Sequence, residues 1–548
     1  MFPVPSGERG HAACLRRIPG RDVENGSACP VESVNDAESV YEVQGSRNNV
    51  IDQETIFDTI LGRQTWGSRP AILGDEACDY GQLMARAGSL ARAISKSGIA
   101  PGARVCVNIP PSRDYVTALV AVYRAGGIIV PMNPRAAPDE KRYMLSHSGA
   151  QLIVTSQDND KTSEFLKPKS ETVWNDLRLL SLDAKETGTP DKDDCCIVYT
   201  SGSTSRPKGA VLGRYAISCN VRAVANDLSL SPGDKSIVFT PPAYTYALSQ
   251  TLTHLWAGGS ILPWPHGLMY PIQILKAVAE LRLTGLAANP TSMRMFSSPK
   301  RFGSLNLDSV RYVKSAGQPL YTNLAREMAA LFPQARMLCT YGCTENSPRI
   351  AHYWLPSEVP DRDGPWPVGR ALSGTEVRIT DDPGEPTAAG ETGSILIRGS
   401  SLMRCYWNEP ESTREQLHDG WFRTGDLGYF DEEARLNVVG RADNIIGVGH
   451  EKVSPEEVEA VISKIEGVAE VAVGGIPDPL LDHVPVALLV LDGEESRILD
   501  KIRDVCRNKL SSPKIPSKLI VIDSIPKTMY GKPDRKAIKD YIQNIAAE

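Results

Sequence analysis

The chain has 548 residues, a formal net charge of −6 and 41% hydrophobic residues. Its length exceeds that of one ordinary domain, so we expect at least two domains with sizeable cores. The weak net charge gives no electrostatic reason to expect nucleic acid or an anionic membrane as a partner. No apolar run is long enough to predict a membrane span. The 11 cysteines lack the spacing of a zinc site, which favours reduced thiols and a cytoplasmic location.

The first 54 residues are polar and contain no continuous apolar segment. We predict a loosely ordered N-terminal extension here rather than a secretory signal. From residue 55 onwards, helical and strand patterns alternate, beginning with a helix over Tyr80–Ser97 and a strand over Arg104–Ile109. This alternation predicts layered α/β structure, and the domain that contains it is expected to span residues 55–440.

Two further patterns follow towards the C-terminus. Short strands separated by Gly or Asp turns begin near Val377 and predict a small β-rich subdomain. After Arg441, a compact segment carries a helix over Ser454–Ile465, two strands and a polar tail. We therefore predict a small α+β domain over residues 441–548.

A polar loop at Tyr199–Gly209 follows an apolar run that predicts a buried strand. Because Ala210–Leu228 has helical spacing, we expect this loop to join a strand to a helix. Glycine lets backbone N–H groups approach an anion, hydroxyl groups add donors, and Lys208 adds a positive charge, so the loop is a candidate phosphate site. The alternative is a flexible Ser/Gly linker. The loop is not a Walker A motif, because Pro207 stands where that motif has glycine.

Tyr341-Gly-Cys-Thr-Glu345 follows an apolar pair and is expected at the end of a strand, where α/β sheets bind ligands. An aromatic ring can stack on adenine, a hydroxyl can bind phosphate, and a carboxylate can bind the Mg²⁺ that ATP brings. Asp426, in Trp421–Leu427, is suited to accept hydrogen bonds from ribose hydroxyls. Taken alone, each of these motifs could also be an ordinary turn.

Together these motifs resemble those of the adenylate-forming superfamily, which includes acyl- and aryl-CoA synthetases, peptide-synthetase adenylation domains and luciferases. The loop at Tyr199–Gly209 matches the family pattern except at Ser205, where glycine is usual. Segments at 125–134, 314–320, 341–345, 421–427 and 526–535 match further motifs in the family order. The resemblance implies an α/β fold with a large N-terminal adenylation domain, made of two layered α/β subdomains and a small β subdomain, and a small mobile C-terminal domain.

The resemblance also implies roles for individual residues. Those implied to bind ATP or AMP are Thr200, Ser201, Gly202, Ser203, Thr204, Lys208, Gly317, Gln318, Pro319, Tyr341, Gly342, Asp426 and Arg441. Those implied to be catalytic are Lys532, Glu345 and Thr344, with Glu345 also holding Mg²⁺. The implied acyl pocket consists of Tyr244, Tyr246, Ser315 and Ala316. Asp443 matches the hinge, and the residues implied to face the acceptor tunnel are Gly449, His450 and Lys452.

The segment that contains Tyr244 and Tyr246 indicates which class of carboxylic acid the protein activates. No carboxylate occurs between Lys235 and Leu252, so a buried α-ammonium group of a substrate would have no partner there. We therefore expect a carboxylic acid without a free α-amine. Tyr244, which stands where aryl- and acyl-CoA ligases usually have histidine, and Tyr246 favour an aryl or hydrophobic acid. Both tyrosines could equally be core residues.

Three functions remain open at this stage. The first is an acyl- or aryl-CoA ligase that uses ATP, Mg²⁺ and CoA. The second is a ligase that transfers the acyl group to an amine or amino acid, because His450 adds bulk where the family usually has glycine. The third is a non-catalytic nucleotide-binding module, against which Lys532 argues, since binding alone requires no adenylation lysine. The sequence does not predict the oligomeric state.

Overall fold

A computed structural model describes residues 55–62, 66–157, 167–184, 187–200, 206–297, 305–362, 364–382, 385–448, 451–478, 480–528 and 533–547. The predicted N-terminal extension lies outside these ranges. Within them, no helix has both the length and the apolar character that a membrane crossing requires.

The largest sheet contains nine strands. In spatial order they are Arg370–Ala371, Arg349–Trp354, Arg336–Gly342, Tyr312–Ala316, Gly285–Ala288, Lys235–Val238, Ser260–Pro263, Pro70–Ile72 and Cys78–Asp79. The run from Arg336–Gly342 to Pro70–Ile72 is parallel throughout. Its strands therefore end at a common edge, which is where parallel sheets bind ligands.

A second sheet contains eight strands. In spatial order they are Cys405–Tyr406, Lys208–Gly213, Asp194–Thr200, Ile128–Pro131, Arg104–Asn108, Leu152–Ser156, Leu177–Ser181 and Ser170–Trp174. Every residue of Arg104–Asn108 is buried, as expected for a central parallel strand that has both faces covered.

Two smaller sheets follow. The third sheet contains Glu385–Pro386, Thr375–Asp382, Gly393–Gly399, Trp421–Phe430 and Leu417–His418, with Leu436–Arg441 paired to Trp421–Phe430. The fourth contains Glu451–Val453, Ile446–Val448, Asp482–Leu491 and Val468–Asp478, with Lys518–Val521 paired to Asp482–Leu491. The third sheet matches the predicted β-rich subdomain, and the fourth belongs to the C-terminal segment.

The helices connect and cover these sheets. Their bounds are Ile56–Gly62, Tyr80–Lys96, Arg113–Arg124, Pro138–Ser148, Arg214–Asp227, Thr245–Trp256, Pro271–Glu280, Pro290–Phe296, Thr322–Leu331, Pro410–Gln416, Pro455–Ile462, Glu495–Lys509 and Arg535–Ala547. The helix predicted from Tyr80 begins with a capping box, in which Asp79 and Gln82 satisfy each other's backbone N–H groups. The local sequence therefore determines where this helix begins.

The prediction of a helix directly after the loop at Tyr199–Gly209 is wrong. The chain first forms the strand Lys208–Gly213, which pairs antiparallel with Asp194–Thr200, and the helix begins only at Arg214. The residues Ala210 to Leu212 are buried between two neighbouring strands, so sheet pairing prevails over their helical spacing. The loop consequently closes a hairpin and does not lead into a helix N-terminus.

The predicted polar tail also contains more structure than expected. Ile498, Ile502 and Cys506 recur at intervals of four residues and are the buried face of the helix Glu495–Lys509. A strand at Lys518–Val521 and the helix Arg535–Ala547 follow. The many charged residues between the apolar positions hid this periodicity in the sequence.

Candidate active site

Three segments with candidate site residues leave the nine-stranded sheet at the same edge. The strands Tyr312–Ala316 and Arg336–Gly342 are parallel neighbours, with Ala316 opposite Thr340. The helix Thr245–Trp256 follows Lys235–Val238, another parallel strand of this sheet. This arrangement brings Thr245 Oγ1 to 3.2 Å from Oγ1 of Thr344. The predicted nucleotide residues near Tyr341 and the predicted acyl-pocket residues near Ser315 and Tyr244 therefore lie close together.

Tyr341 and Asp426 come together from two different sheets. The hydroxyl of Tyr341 donates a 2.5 Å hydrogen bond to Oδ2 of Asp426. Asp426 pairs with Arg441 across adjacent strands, and Arg441 Nη1 lies 3.4 Å from Oδ1 of Asp426. Burial raises the pKa of Asp426, and the guanidinium of Arg441 opposes this shift. The cluster combines an aromatic face, a carboxylate and a cation, which suits a nucleoside phosphate.

Glu345 lies in a short 3₁₀ turn directly after the Tyr341 strand. Its carboxylate is buried, and Oε1 accepts a 2.7 Å hydrogen bond from the hydroxyl of Tyr406. The ammonium group of Lys208 lies 5.4 Å from the centre of the Tyr406 ring. Tyr406 therefore connects the predicted magnesium ligand with the predicted phosphate lysine.

The stems of the candidate phosphate loop are fixed by the helix Pro138–Ser148. Thr200 and Lys208 face each other across the hairpin. Tyr143 donates its hydroxyl to the carbonyl of Pro207 at 3.0 Å, and His147 Nδ1 lies 2.9 Å from the hydroxyl of Tyr199. The loop residues Ser201, Gly202, Ser203 and Thr204 lie outside the described residues.

The turn after Tyr312–Ala316 contains a left-handed backbone conformation at a glycine. Gly317 has φ of 78°, a left-handed conformation that glycine adopts without strain. Gln318 Oε1 accepts hydrogen bonds from the backbone N–H and the hydroxyl of Thr291, and Pro319 is exposed beside it. At Gly342, a Cβ atom would lie 2.1 Å from the carbonyl oxygen of Pro348, so a larger residue has no room there.

The four acyl-pocket candidates are grouped around one edge of the sheet. Tyr244 is the N-cap residue of the helix Thr245–Trp256 and is half-buried. Tyr246 is half-buried too, with a buried hydroxyl that has no hydrogen-bond partner. Ser315 is buried with its hydroxyl likewise unpaired, and Ala316 is half-buried. Two unpaired hydroxyls at one edge are donors that a bound ligand can satisfy.

Lys314 lies against one of these pocket candidates, Tyr246. It is 4% exposed, and its ammonium group lies 4.3 Å from the centre of the Tyr246 ring. Burial lowers the pKa of Lys314 well below its usual range, and the nearby Arg349 charge lowers it further. Arg349 pairs with Asp227 at 2.7 Å. Two basic side chains and one carboxylate therefore lie close to Tyr246.

Only some of the site residues predicted in the C-terminal segment belong to the described part of the chain. Asp443 lies in an exposed 3₁₀ turn, with Oδ2 4.0 Å from Arg441 Nη2, and Lys452 lies on the strand Glu451–Val453. Arg535 is paired with the half-buried carboxylates of Glu456 and Glu459. Gly449, His450 and Lys532 lie outside the described residues, so their roles stay predictions.

Sequence reasoning missed Tyr406, Lys314 and Thr245. Lys314 carried a usable signal, because a lysine inside the apolar strand Tyr312–Ala316 is rarely buried without a specific partner. Thr245 and Tyr406 carried no comparable signal in the sequence. Their partners, Thr344 and Glu345, are 99 and 61 residues away in the chain.

A family model described as AMP-binding enzyme matches residues 62–407, and one described as AMP-binding enzyme C-terminal domain matches residues 457–532. The chain belongs to the AMP-binding enzymes. A curated relative among these enzymes, a feruloyl-CoA synthase from Amycolatopsis sp, is 32% identical over 476 residues, which cover 84% of this chain and 93% of the relative.

Solved structures of two other proteins share this fold. ATP-bound MatB from Rhodopseudomonas palustris superposes with a TM-score of 0.76 at 25% identity, covering 90% of this chain and 99% of that one. The amide bond synthetase McbA from Marinactinospora thermotolerans has a TM-score of 0.77 at 24% identity, covering 89% and 99%, and shows a shared fold. The predicted superfamily, its α/β fold with a large N-terminal and a small C-terminal domain, and the class of adenylate-forming ligase are confirmed. The boundary at residue 441 stays a prediction.

Proposed function

We propose that this protein activates an aryl or hydrophobic carboxylic acid as its acyl-adenylate and then transfers the acyl group to the thiol of CoA. One observation carries the proposal: Tyr341, Asp426, Glu345 and Lys208 converge from three sheets on one sheet edge. These side chains supply an aromatic face, a ribose-binding carboxylate, a metal ligand and a phosphate-binding cation. ATP needs all four.

In this proposal the ribose and adenine of ATP lie against Asp426 and Tyr341, with Arg441 beside them. Thr200 and Lys208 hold phosphate oxygens at the mouth of the hairpin. Among the described residues no group of three or more His, Cys, Asp or Glu could hold a metal alone. Glu345 fits Mg²⁺ that arrives with ATP, because such ions typically use one or two carboxylates together with substrate phosphates. Bound Mg²⁺ would neutralise phosphate charge.

The chemical step joins two anions. A carboxylate oxygen of the acid attacks the α-phosphorus of ATP, a new O–P bond forms, the bond to the β-phosphate oxygen breaks, and pyrophosphate leaves. Lys532 places an ammonium group between the two reacting anions and screens their repulsion, which stabilises the transition state. In the second step the CoA thiol releases its proton to solvent and its sulfur attacks the acyl carbon. An S–C bond forms, the bond between that carbon and the phosphate oxygen of AMP breaks, and AMP leaves.

The pocket supports an acid without an α-amine. An α-ammonium group would lie near the buried Lys314 and Arg349, and Asp227, the carboxylate of this network, is already paired with Arg349. An α-ammonium group in this buried place would have no carboxylate partner, which would cost several kcal/mol. The Tyr246 ring offers an aromatic surface for an aryl or other apolar acyl group. Similarity to the feruloyl-CoA synthase from Amycolatopsis sp also supports an aryl acid as the substrate.

CoA is supported as acceptor by that relative, and Mg²⁺ by the carboxylate of Glu345. An amine acceptor is favoured by a single observation, the histidine at position 450 in the predicted acceptor tunnel. The decisive experiment incubates the enzyme with ATP, Mg²⁺ and a panel of aryl, fatty and amino acids, each with CoA or with an amine. Mass spectrometry identifies the product, and acid-dependent release of AMP is measured in parallel.

A thioester from an acid without an α-amine supports the proposal. An amide product would contradict transfer to CoA and would support a ligase that transfers the acyl group to an amine. If no acid in the panel releases AMP while the protein still binds ATP, the chain is a nucleotide-binding module and the proposal is wrong.

A further inference from the structure

Tyr406 contacts two predicted site residues through different parts of one side chain. Its hydroxyl donates to Oε1 of Glu345 at 2.7 Å. Its ring lies under the ammonium group of Lys208, with 5.4 Å between Nζ and the ring centre, within the range of a cation–π interaction. Tyr406 is 7% exposed, so little water competes with either contact.

The backbone around Tyr406 is tied to the same two segments. The N–H of Met403 donates to the carbonyl of Glu345 at 2.7 Å, and the N–H of Trp407 donates to the carbonyl of Gly209 at 2.7 Å. The strand Cys405–Tyr406 also pairs with the strand that begins at Lys208. Tyr406 therefore cannot shift without moving the peptide segments that carry Glu345 and Lys208.

The hydroxyl of Tyr406 is suited to act as a donor to Glu345. A phenol ordinarily titrates at about pH 10, so at neutral pH the hydroxyl has a proton to donate to the Glu345 carboxylate. A donor fixed on one carboxylate oxygen selects the rotamer of a metal ligand, as partners of metal ligands commonly do.

We propose that Tyr406 is a positioning residue that sets the Glu345 carboxylate and the Lys208 ammonium group relative to each other for MgATP. The hydroxyl acts on Glu345, and the ring acts on Lys208. This inference rests on the proposed function, because it assigns Glu345 to Mg²⁺ and Lys208 to phosphate. It predicts that the two actions can be separated by substitution.

The test compares Tyr406→Phe with Tyr406→Leu. Binding of α,β-methylene-ATP is measured by calorimetry, once with Mg²⁺ titrated from low concentration and once with EDTA. Tyr406→Phe keeps the ring, so its affinity for the nucleotide in EDTA should match that of the wild type. The Mg²⁺ concentration at which half of the Mg²⁺-dependent gain in affinity is reached should rise about 10-fold or more. Tyr406→Leu should weaken binding in both conditions.

Tyr80→Phe is the matched control, because Tyr80 is also buried and its hydroxyl donates to the carbonyls of Leu255 and Gly259, away from the site. It should lower the melting temperature without changing the Mg²⁺ dependence. If Tyr406→Phe behaves like Tyr80→Phe, the positioning role is wrong. If Tyr406→Phe does not fold, Glu345→Gln serves instead, and a Mg²⁺ dependence equal to that of the wild type overturns the inference.

Failure of the proposed function would look different. In that case the wild-type protein itself would show no acid-dependent ATP–pyrophosphate exchange. The Tyr406 inference fails on its own when the wild type exchanges pyrophosphate and tightens its nucleotide binding with Mg²⁺, yet Tyr406→Phe does so at the same Mg²⁺ concentration.

Discussion

The hydroxyl of Tyr341 donates a 2.5 Å hydrogen bond to Oδ2 of Asp426, although the two residues belong to different sheets. Burial and the Asp426 charge raise the pKa of Tyr341 far above its usual range, so the phenol remains a donor. The bond orients the carboxylate that we assign to the ribose and holds the ring that we assign to adenine. Substitution of either residue should therefore disturb both contacts.

Tyr341→Phe removes this bond and keeps the aromatic face. A hydrogen bond to a charged group contributes roughly 1.5–3 kcal/mol, so we expect the KM for ATP to rise about tenfold or more. ATP–pyrophosphate exchange gives the KM, and calorimetry with AMP gives the affinity directly. Tyr541→Phe, on an exposed part of the last helix, is the control and should match the wild type. AMP binding that is unchanged in Tyr341→Phe would refute the coupling.

Much of this site was predictable because parallel strands end at one edge. The motifs at Ser315 and Tyr341 each followed an apolar strand, and the fold placed them side by side. The strand Lys208–Gly213 was not predictable, because Ala-Val-Leu satisfies both helical and strand patterns and only its paired neighbours decide between them. Tyr406 was hidden for a related reason. Its role depends on a contact between two sheets, which local sequence does not record.

Lys532→Ala should reduce acid-dependent ATP–pyrophosphate exchange by about 10²–10³-fold, as expected when a preorganised charge is removed from a transition state. Formation of thioester from CoA and a prepared acyl-adenylate should persist, because the repulsion between the acid and ATP no longer arises. Lys527→Ala is the matched control in the same segment, since the ammonium group of Lys527 pairs with Glu470 at 2.7 Å. Exchange at the wild-type rate in Lys532→Ala would disprove the assigned mechanism.

His254 should make the stability of the protein depend on pH. Its ring nitrogens contact the carbonyl of Gln250 and the hydroxyl of Tyr312, and burial lowers its pKa to about 4. Between the unfolded pKa of about 6.5 and the folded value, only the unfolded chain takes up this proton. The free energy of unfolding should therefore fall as the pH falls through this window, by roughly 3 kcal/mol in total.

The variant His254→Gln is neutral at every pH and should lose this part of the pH dependence. Chemical denaturation at several pH values between 4 and 7 measures the effect, with the exposed His266→Gln as control. An unchanged slope in His254→Gln would show that His254 is not the group responsible.

His450 decides between the two acceptors if the predicted tunnel is correct. An imidazole in place of the usual glycine narrows the passage for the slender pantetheine thiol, so His450→Gly should raise kcat/KM for CoA severalfold and shift product from amide to thioester when an amine competes. Both products are quantified in one mixture by mass spectrometry, with His483→Gly, elsewhere in the same domain, as control. Adenylate formation should stay unchanged, because the residues assigned to that step are intact. A kcat/KM for CoA equal to that of the wild type would remove the argument for a narrowed tunnel, and with it the observation that favours an amine acceptor.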